Sequence, residues 1–315
     1  MPIRGPMYQQ HFGLVESPFS LTPDTQFFLN QQSHRDALNT MLVALQHCEG
    51  FIKVVGEVGT GKTLLCRILL SRLKQNFVTV YIPNPYLTPE ELKAVVAQEI
   101  GASYQRDMPA HDLMSSIYRA LVKQARKGKQ VVLLVDEAQA MPRDTIECLR
   151  LLTNLETEKR KLLQVVILGQ PELDTLLARP DLRQLKQRII FSETLKPFTA
   201  VGASEYVVHR MVSAGGEKNL FSRRALWLIA RGSGGIPRLI NIIAHKALIS
   251  AYGRGDRRIN IVHVAKAISD TSESNWLGKV IAWYCCILSV GARPVLRTSA
   301  ALPLIVLASF LGNLL

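Results

Sequence analysis

The string GEVGTGKT, residues 56–63, follows the β-rich run FIKVV (51–55) and leads into TLLCRILLSRL (63–73), whose apolar residues recur with helical spacing. It matches G-x4-G-K-[ST] in the strand, loop and helix context that the pattern requires. Glycines at 56, 59 and 61 let the backbone curl until successive N–H groups converge at the positive end of the following helix. Such a loop predicts a parallel sheet built around it and a site for the phosphates of a nucleoside triphosphate. The candidate cradle is Gly56, Glu57, Val58, Gly59, Thr60, Gly61, Lys62, Thr63 and Leu64. Lys62 would reach the β- and γ-phosphates, and the Thr63 hydroxyl would ligate Mg²⁺.

The body around the loop alternates strand and helix. FVTVYIP (77–83) reads as a second strand, with helical patterns at 89–100 and 112–127. QVVLLVDE (130–137) is an almost continuous apolar strand ending in two acids, as expected of a strand buried on both faces. A helix over 144–158 leads to another buried strand, LLQVVILG (162–169), and RIIFSETL (188–195) reads as the fifth. The fold predicted is α/β, a P-loop NTPase with a parallel five-stranded sheet flanked by helices. After Pro197 the strands stop, and 199–213, 222–232, 236–251 and 260–270 read as helices of a small all-helical domain. The expected division is 1–50 (leader and first helix), 51–197 (α/β core), 198–274 (helical domain) and 275–315 (tail).

Asp136 and Glu137 would lie at the carboxyl edge of the sheet beside the loop, where ligands of open α/β sheets collect. Asp136 is the candidate Mg²⁺ holder, and Glu137 the candidate base that takes a proton from the attacking water. An acid directly after the metal ligand favours hydrolysis over phosphoryl transfer to a metabolite. The absence of an Asn-Lys-x-Asp string points to ATP rather than GTP. Gln170 ends the next buried strand, where it would touch both the γ-phosphate and the attacking water, or cap the turn before Pro171. In RPDLRQLKQRI, Arg183 or Arg188 is placed to act as an arginine finger in a neighbouring subunit's site, or belongs to a basic surface. Gly234 and Gly235 permit a tight approach and Pro237 starts a helix, so Arg238 could fold back towards the phosphates.

The 315 residues carry a formal charge of +13, which suits an acidic partner such as nucleic acid, an anionic membrane face or nucleotide. Five cysteines in no metal-ligand spacing suit a reducing compartment without disulfides. The N-terminus has no apolar run of the secretory kind, and Met7 is an alternative start to Met1. From 275 on there is no Asp or Glu, and two apolar runs of 17 residues (276–292 and 299–315) flank Arg293 and Arg297. Each would reach roughly 25 Å as a helix, against a hydrocarbon core about 30 Å thick. The tail is therefore expected to form a hairpin, which the two arginines in its turn oppose, to insert once or lie in the membrane interface, or to be no native extension.

Taken in order, the segments MYQQHFGLVESPFSLTPDTQFFLN, GFIKVVGEVGTGKTLLCR, YIPNPYLTPEEL, VVLLVDEAQAMP, LRLLTNLETEKRKLLQVVILGQPELD, LRQLKQRI and GIPRLINIIAHKAL resemble the AAA+ ATPases of the ExeA/GspA secretion family. The likeness runs over 7–274 and extends to that family's MSHA pilus-biogenesis branch. It implies an AAA+ core with a helical lid, ATP hydrolysis with Mg²⁺ and nucleotide-dependent homo-oligomerisation. It places Gln170 at the sensor-1 position, Arg238 at sensor 2 and the finger at Arg188, with Phe12, Pro18 and Phe19 near the adenine. The function implied is an ATP-driven assembly factor for a type IV pilus or type II secretion machine, cytoplasmic and at the inner membrane. The alternative is a DNA-associated AAA+ regulator of the transposition-helper kind, favoured by charge but lacking a recognisable helix-turn-helix or basic arm.

Overall fold

The computed structural model describes residues 7–290 apart from 49, 74, 75 and 159. In chain order come α1 (Met7–His11), α2 (Gln32–Gln46), β1 (Phe51–Gly56), α3 (Lys62–Arg72), β2 (Phe77–Ile82), α4 (Pro89–Ile100), α5 (Ala110–Arg126) and β3 (Gln130–Val135). They are followed by α6 (Arg143–Leu152), β4 (Glu156–Thr157), β5 (Arg160–Lys161), β6 (Leu163–Gly169), α7 (Glu172–Leu177), α8 (Arg183–Lys186) and β7 (Ile189–Leu195). The chain divides into two compact units, one of residues 20–198 with Ile236–Arg238, the other of the remainder.

In the first unit five strands form a parallel sheet in the order β2-β3-β6-β1-β7. Side chains alternate between two cores, because successive residues of a strand point to opposite faces. Val131, Leu133 and Val135 of β3 and Leu163, Val165 and Ile167 of β6 meet Leu92, Val96, Ile117, Leu121 and Leu149 from α4, α5 and α6. Val132, Leu134, Val166 and Leu168 point the other way, onto Leu38, Met41, Leu65 and Leu69 of α2 and α3. Burial on both faces explains the largely apolar runs of β3 and β6, interrupted in β6 by the buried Gln164, and it dominates the stability of this unit. The edge strand β7 is only alternately covered, hence its mixed composition.

Helix starts follow local chemistry. At α4 the Thr88 side chain accepts from the Glu91 N–H, the Glu91 carboxylate accepts the Thr88 N–H at 2.8 Å, and Pro89 sits in the first turn. The register aligns the carboxyl ends of four strands, β3, β6, β1 and β7, with Val135 opposite Ile167, Val55 opposite Gly169 and Gly56 opposite Leu195. Whatever follows β1, β3 and β6 is thereby gathered at one edge.

One expected helix is shorter than its pattern. The run 144–158 stops at Leu152, and β4 and β5 pair antiparallel beyond it, Glu156 opposite Lys161 and Thr157 opposite Arg160. Lys and Glu favour helix intrinsically, but the Leu162 N–H reaches back to the Leu155 carbonyl at 3.1 Å, and Leu152, Leu162 and Leu163 are all buried. Anchoring both ends in the core outweighs propensity between them.

The second unit holds α9 (Ala200–Ser213), α10 (Arg223–Ser233), most of α11 (Pro237–Tyr252), α12 (Ile261–Ser269) and α13 (Trp276–Val290). Thr199, Ser222 and Asn260 cap the starts of α9, α10 and α12 through their side chains. The leader packs here: Tyr8, Phe12, Leu14 and Phe19 are buried, Phe19 stands edge-on to Phe221 at 6.0 Å, and the Val15 N–H donates to the Ala214 carbonyl at 2.9 Å. The apolar run after 275 begins as α13, which lies against α10 at two glycines. A Cβ on Gly278 would sit 2.4 Å from the Gly232 Cα, and the Asn275 N–H donates to the Gly232 carbonyl at 2.9 Å. Trp276, Leu277, Val280, Trp283 and Tyr284 are exposed on this helix. Among the described residues no helix is long and apolar enough to cross a membrane. The run 299–315 lies outside the described residues.

Candidate nucleotide site

The loop between β1 and α3 takes its shape from glycines with positive φ, Gly59 at 81° and Gly61 at 99°, the latter the N-cap of α3. Thr60 is wholly buried, and its hydroxyl donates to the Glu57 carbonyl at 2.8 Å, closing the turn from within. Val58 faces solvent. Lys62 is buried, and its ammonium donates to the carbonyls of Gly56 (2.7 Å) and Glu57 (3.1 Å). Burial pushes the Lys62 ammonium below its usual range, against the pull of Glu137, Asp136, Glu57 and Glu172. A buried cation whose hydrogen-bond partners are neutral carbonyls is well matched to an anionic ligand.

Asp136, immediately after β3, is 2% exposed and accepts the Thr63 hydroxyl at 2.7 Å and the Glu137 N–H at 2.9 Å. Burial raises its pKa, and those two hydrogen bonds with the Lys62 charge only partly oppose it. A hydroxyl and a carboxylate held together beside a phosphate loop are the oxygen donors that Mg²⁺ takes, with water completing its octahedron. Both residues thus fit the metal.

Glu137 has φ 51° and ψ 38°, a left-handed conformation that a non-glycine residue adopts at a cost. Its Oε2 accepts from Gln139 Nε2 (2.7 Å) and from Gln170 Nε2 (3.0 Å). Burial pushes its pKa up, but these two donors and Lys62 outweigh it, so the carboxyl titrates below the ordinary glutamate value. Lys62, Thr63, Asp136, Glu137 and Gln170 therefore form one continuous cluster.

The arginines stand differently. Arg183 is exposed, and Arg188 lies outside the cluster, its Nη1 donating to the Thr153 hydroxyl (3.2 Å) and the Arg150 carbonyl (3.5 Å) at the C-terminal end of α6. The Arg238 N–H donates to the Gly59 carbonyl at 3.2 Å, and a Cβ on Gly59 would come within 2.6 Å of the Arg238 Cβ. The backbone at 238 thus rests on the loop, while the Arg238 side chain is exposed.

Three residues of this region escape motif reading. His34 of α2 is 4% exposed and its Nε2 lies 2.8 Å from the Thr60 carbonyl. A carbonyl only accepts, so Nε2 carries the proton; burial lowers the imidazole pKa and keeps the ring neutral. The signal for it is a histidine in line with the apolar stripe Ala37, Leu38, Met41 of an amphipathic helix. Gln139 lies two residues beyond Glu137, in a turn that no strand or helix pattern marks. Tyr81 of β2, opposite Leu134 in the strand that Asp136 follows, has its phenol pushed up to about 12 by burial, by Cys66 and by Asp136.

Residues 46–177 match the family described as AAA domain. General secretion pathway protein A of Aeromonas hydrophila is 44% identical over 253 residues, 80% of this chain and 46% of that protein. The chain thus spans about half the length of that relative. Among solved structures, Cdc6p from Pyrobaculum aerophilum superposes with a TM-score of 0.60 at 20% identity, covering 81% of this chain and 70% of the other. The Thermotoga maritima RuvB Holliday junction branch migration motor gives 0.51 at 18% identity, covering 75% and 68%. At such identities the two structures speak for the fold alone.

Proposed function

We propose that this chain, similar to General secretion pathway protein A over 80% of its length and to the AAA domain family over residues 46–177, is an ExeA/GspA-like AAA+ ATPase that binds ATP with Mg²⁺, hydrolyses it, and uses the cycle to drive assembly of a type II secretion machine or an MSHA-type type IV pilus at the inner membrane. The observation that carries the hydrolytic part is the linked pair of contacts Thr63 Oγ1 to Asp136 Oδ2 (2.7 Å) and Gln170 Nε2 to Glu137 Oε2 (3.0 Å). Together they set metal-fitting oxygens and a carboxylate base side by side at the loop.

Mg²⁺, when bound, supplies charge neutralisation and orientation of the phosphoryl group. Lys62 exchanges its loop carbonyls for phosphate oxygens. Thr63 and Asp136 hold the metal. Glu137, ionised at neutral pH, accepts the proton of the attacking water. Gln170 turns its amide towards the γ-phosphoryl oxygens, and Arg238 reports the nucleotide state from the first turn of α11. Arg188 acts in a neighbouring copy of a homo-oligomer, in keeping with its place away from its own cluster. The basic, acid-free stretch from 275 onward is proposed to contact the membrane face.

The assembly role is tested in the host by disrupting the gene and complementing it with the wild-type chain or with Glu137→Gln. Surface pili or secreted substrate should return with the wild type only. Equal recovery with both would show that hydrolysis is not what the machine takes from this protein.

A further inference from the structure

The amide of Gln139 touches both partners of the proposed chemistry. Its Oε1 accepts the Gln170 backbone N–H at 3.0 Å, and its Nε2 donates to Glu137 Oε2 at 2.7 Å. The backbone N–H can only donate, so the amide has one admissible orientation and its NH₂ must face the carboxylate. The packing is close as well: a Cβ on Gly169 would stand 2.8 Å from Leu173 Cδ2 and 3.0 Å from Gln139 Oε1, so the glycine that ends β6 leaves room for both side chains. The result is a closed ring through Glu137, Gln139 and Gln170. Both side-chain amides take the same carboxylate oxygen, and among the described residues Oε1 of Glu137 accepts no hydrogen bond.

We infer that Gln139 is a positioning residue for the base: it tethers Oε2 of Glu137 so that Oε1 is left to take the proton of water. The inference rests on the hydrolytic reading given above. Gln170 cannot be the permanent tether, because its proposed engagement with the γ-phosphoryl group draws its amide away. Gln139 has no such second duty, and its bond to the Gln170 N–H remains when the Gln170 side chain moves. It therefore keeps the carboxylate aimed in the loaded state.

Two substitutions in the full chain separate this role from packing. Gln139→Met keeps length and volume but loses both hydrogen bonds. Gln139→Glu keeps the acceptor for the Gln170 N–H but loses the donor to Glu137 and faces it with a like charge. If Gln139 positions the base, kcat falls roughly 10- to 100-fold in both variants, with Gln139→Glu at least as impaired. KM and the Kd for a fluorescent ATP analogue should stay within about twofold of wild type, since the phosphate loop is not altered. A Gln139→Glu that turns over like the wild type would make the residue a brace for Gln170 and overturn the inference. So would loss of nucleotide binding in both variants, which would mark a fold residue. If the wild type itself shows no hydrolysis dependent on Glu137, the hydrolytic reading falls first and this inference with it.

Discussion

Replacing His34 by leucine should weaken nucleotide binding from a helix that carries none of the loop motif. The Thr60 carbonyl belongs to a wholly buried residue and accepts the imidazole Nε2–H at 2.8 Å. Leucine keeps much of the volume and removes the donor, leaving a buried acceptor without water. Such an orphaned group costs about 1–3 kcal/mol. The penalty falls on the turn that Gly59 and Gly61 hold at positive φ, the conformation that aims the loop N–H groups. At 1.36 kcal/mol per tenfold, the Kd for a fluorescent ADP analogue should rise about 5- to 150-fold. His34→Gln, whose amide N–H can stand in for Nε2–H, should recover most of it. Leucine binding within twofold of wild type, with an unchanged urea midpoint, would refute the idea that α2 braces the loop.

Other expectations follow from the same contacts. Gly59→Ala places a side chain at φ 81° and 2.6 Å from the Arg238 Cβ, so it should cost more than the about 1–2 kcal/mol of left-handed backbone alone. Gly101→Ala, at φ 73° with open space around it, is the control that reads the backbone cost by urea denaturation. His34, His245 and His263 all have pKa values lowered from 6.5, by burial first. The unfolded chain therefore takes up protons before the folded one, and stability present above pH 6.5 is lost as pH falls through the folded values. The urea midpoint should fall between about pH 7 and 5, less so in His34→Gln; a flat profile would contradict this. Arg188→Ala should leave the nucleotide Kd unchanged yet lower ATP turnover, and mixing it with Glu137→Gln should restore part of the activity if the arginine serves a neighbouring site.

Legibility in the sequence followed the range of the forces involved. The phosphate loop could be read because glycine spacing, a preceding strand and a following helix are local requirements. Asp136 and Glu137 were readable because β3 is buried on both faces and runs apolar from Val131 to Val135, so the acids mark where it leaves the sheet. Gln170 was visible as a strand end, but its bond to Glu137 arises from the register of β3 and β6, across 33 positions. His34 acts over 26 positions through the packing of α2 on the sheet, and no motif records that. The β4–β5 pair reads as helix from composition, since Glu and Lys favour it and only the anchoring of Leu152 and Leu162 decides otherwise. The burial of Phe12 and Phe19 in the helical unit depends on partners near 214 and 221, beyond any local pattern.

The central claim, that Glu137 at the end of β3 makes this nucleotide site hydrolytic, is tested most directly by steady-state ATP turnover of the purified 315-residue chain and of its Glu137→Gln variant with Mg²⁺, alongside their ATP-analogue Kd values. The account predicts a loss of at least about 100-fold in kcat, the scale of general-base catalysis, with Kd unchanged within twofold. Equal turnover in the two proteins would contradict it.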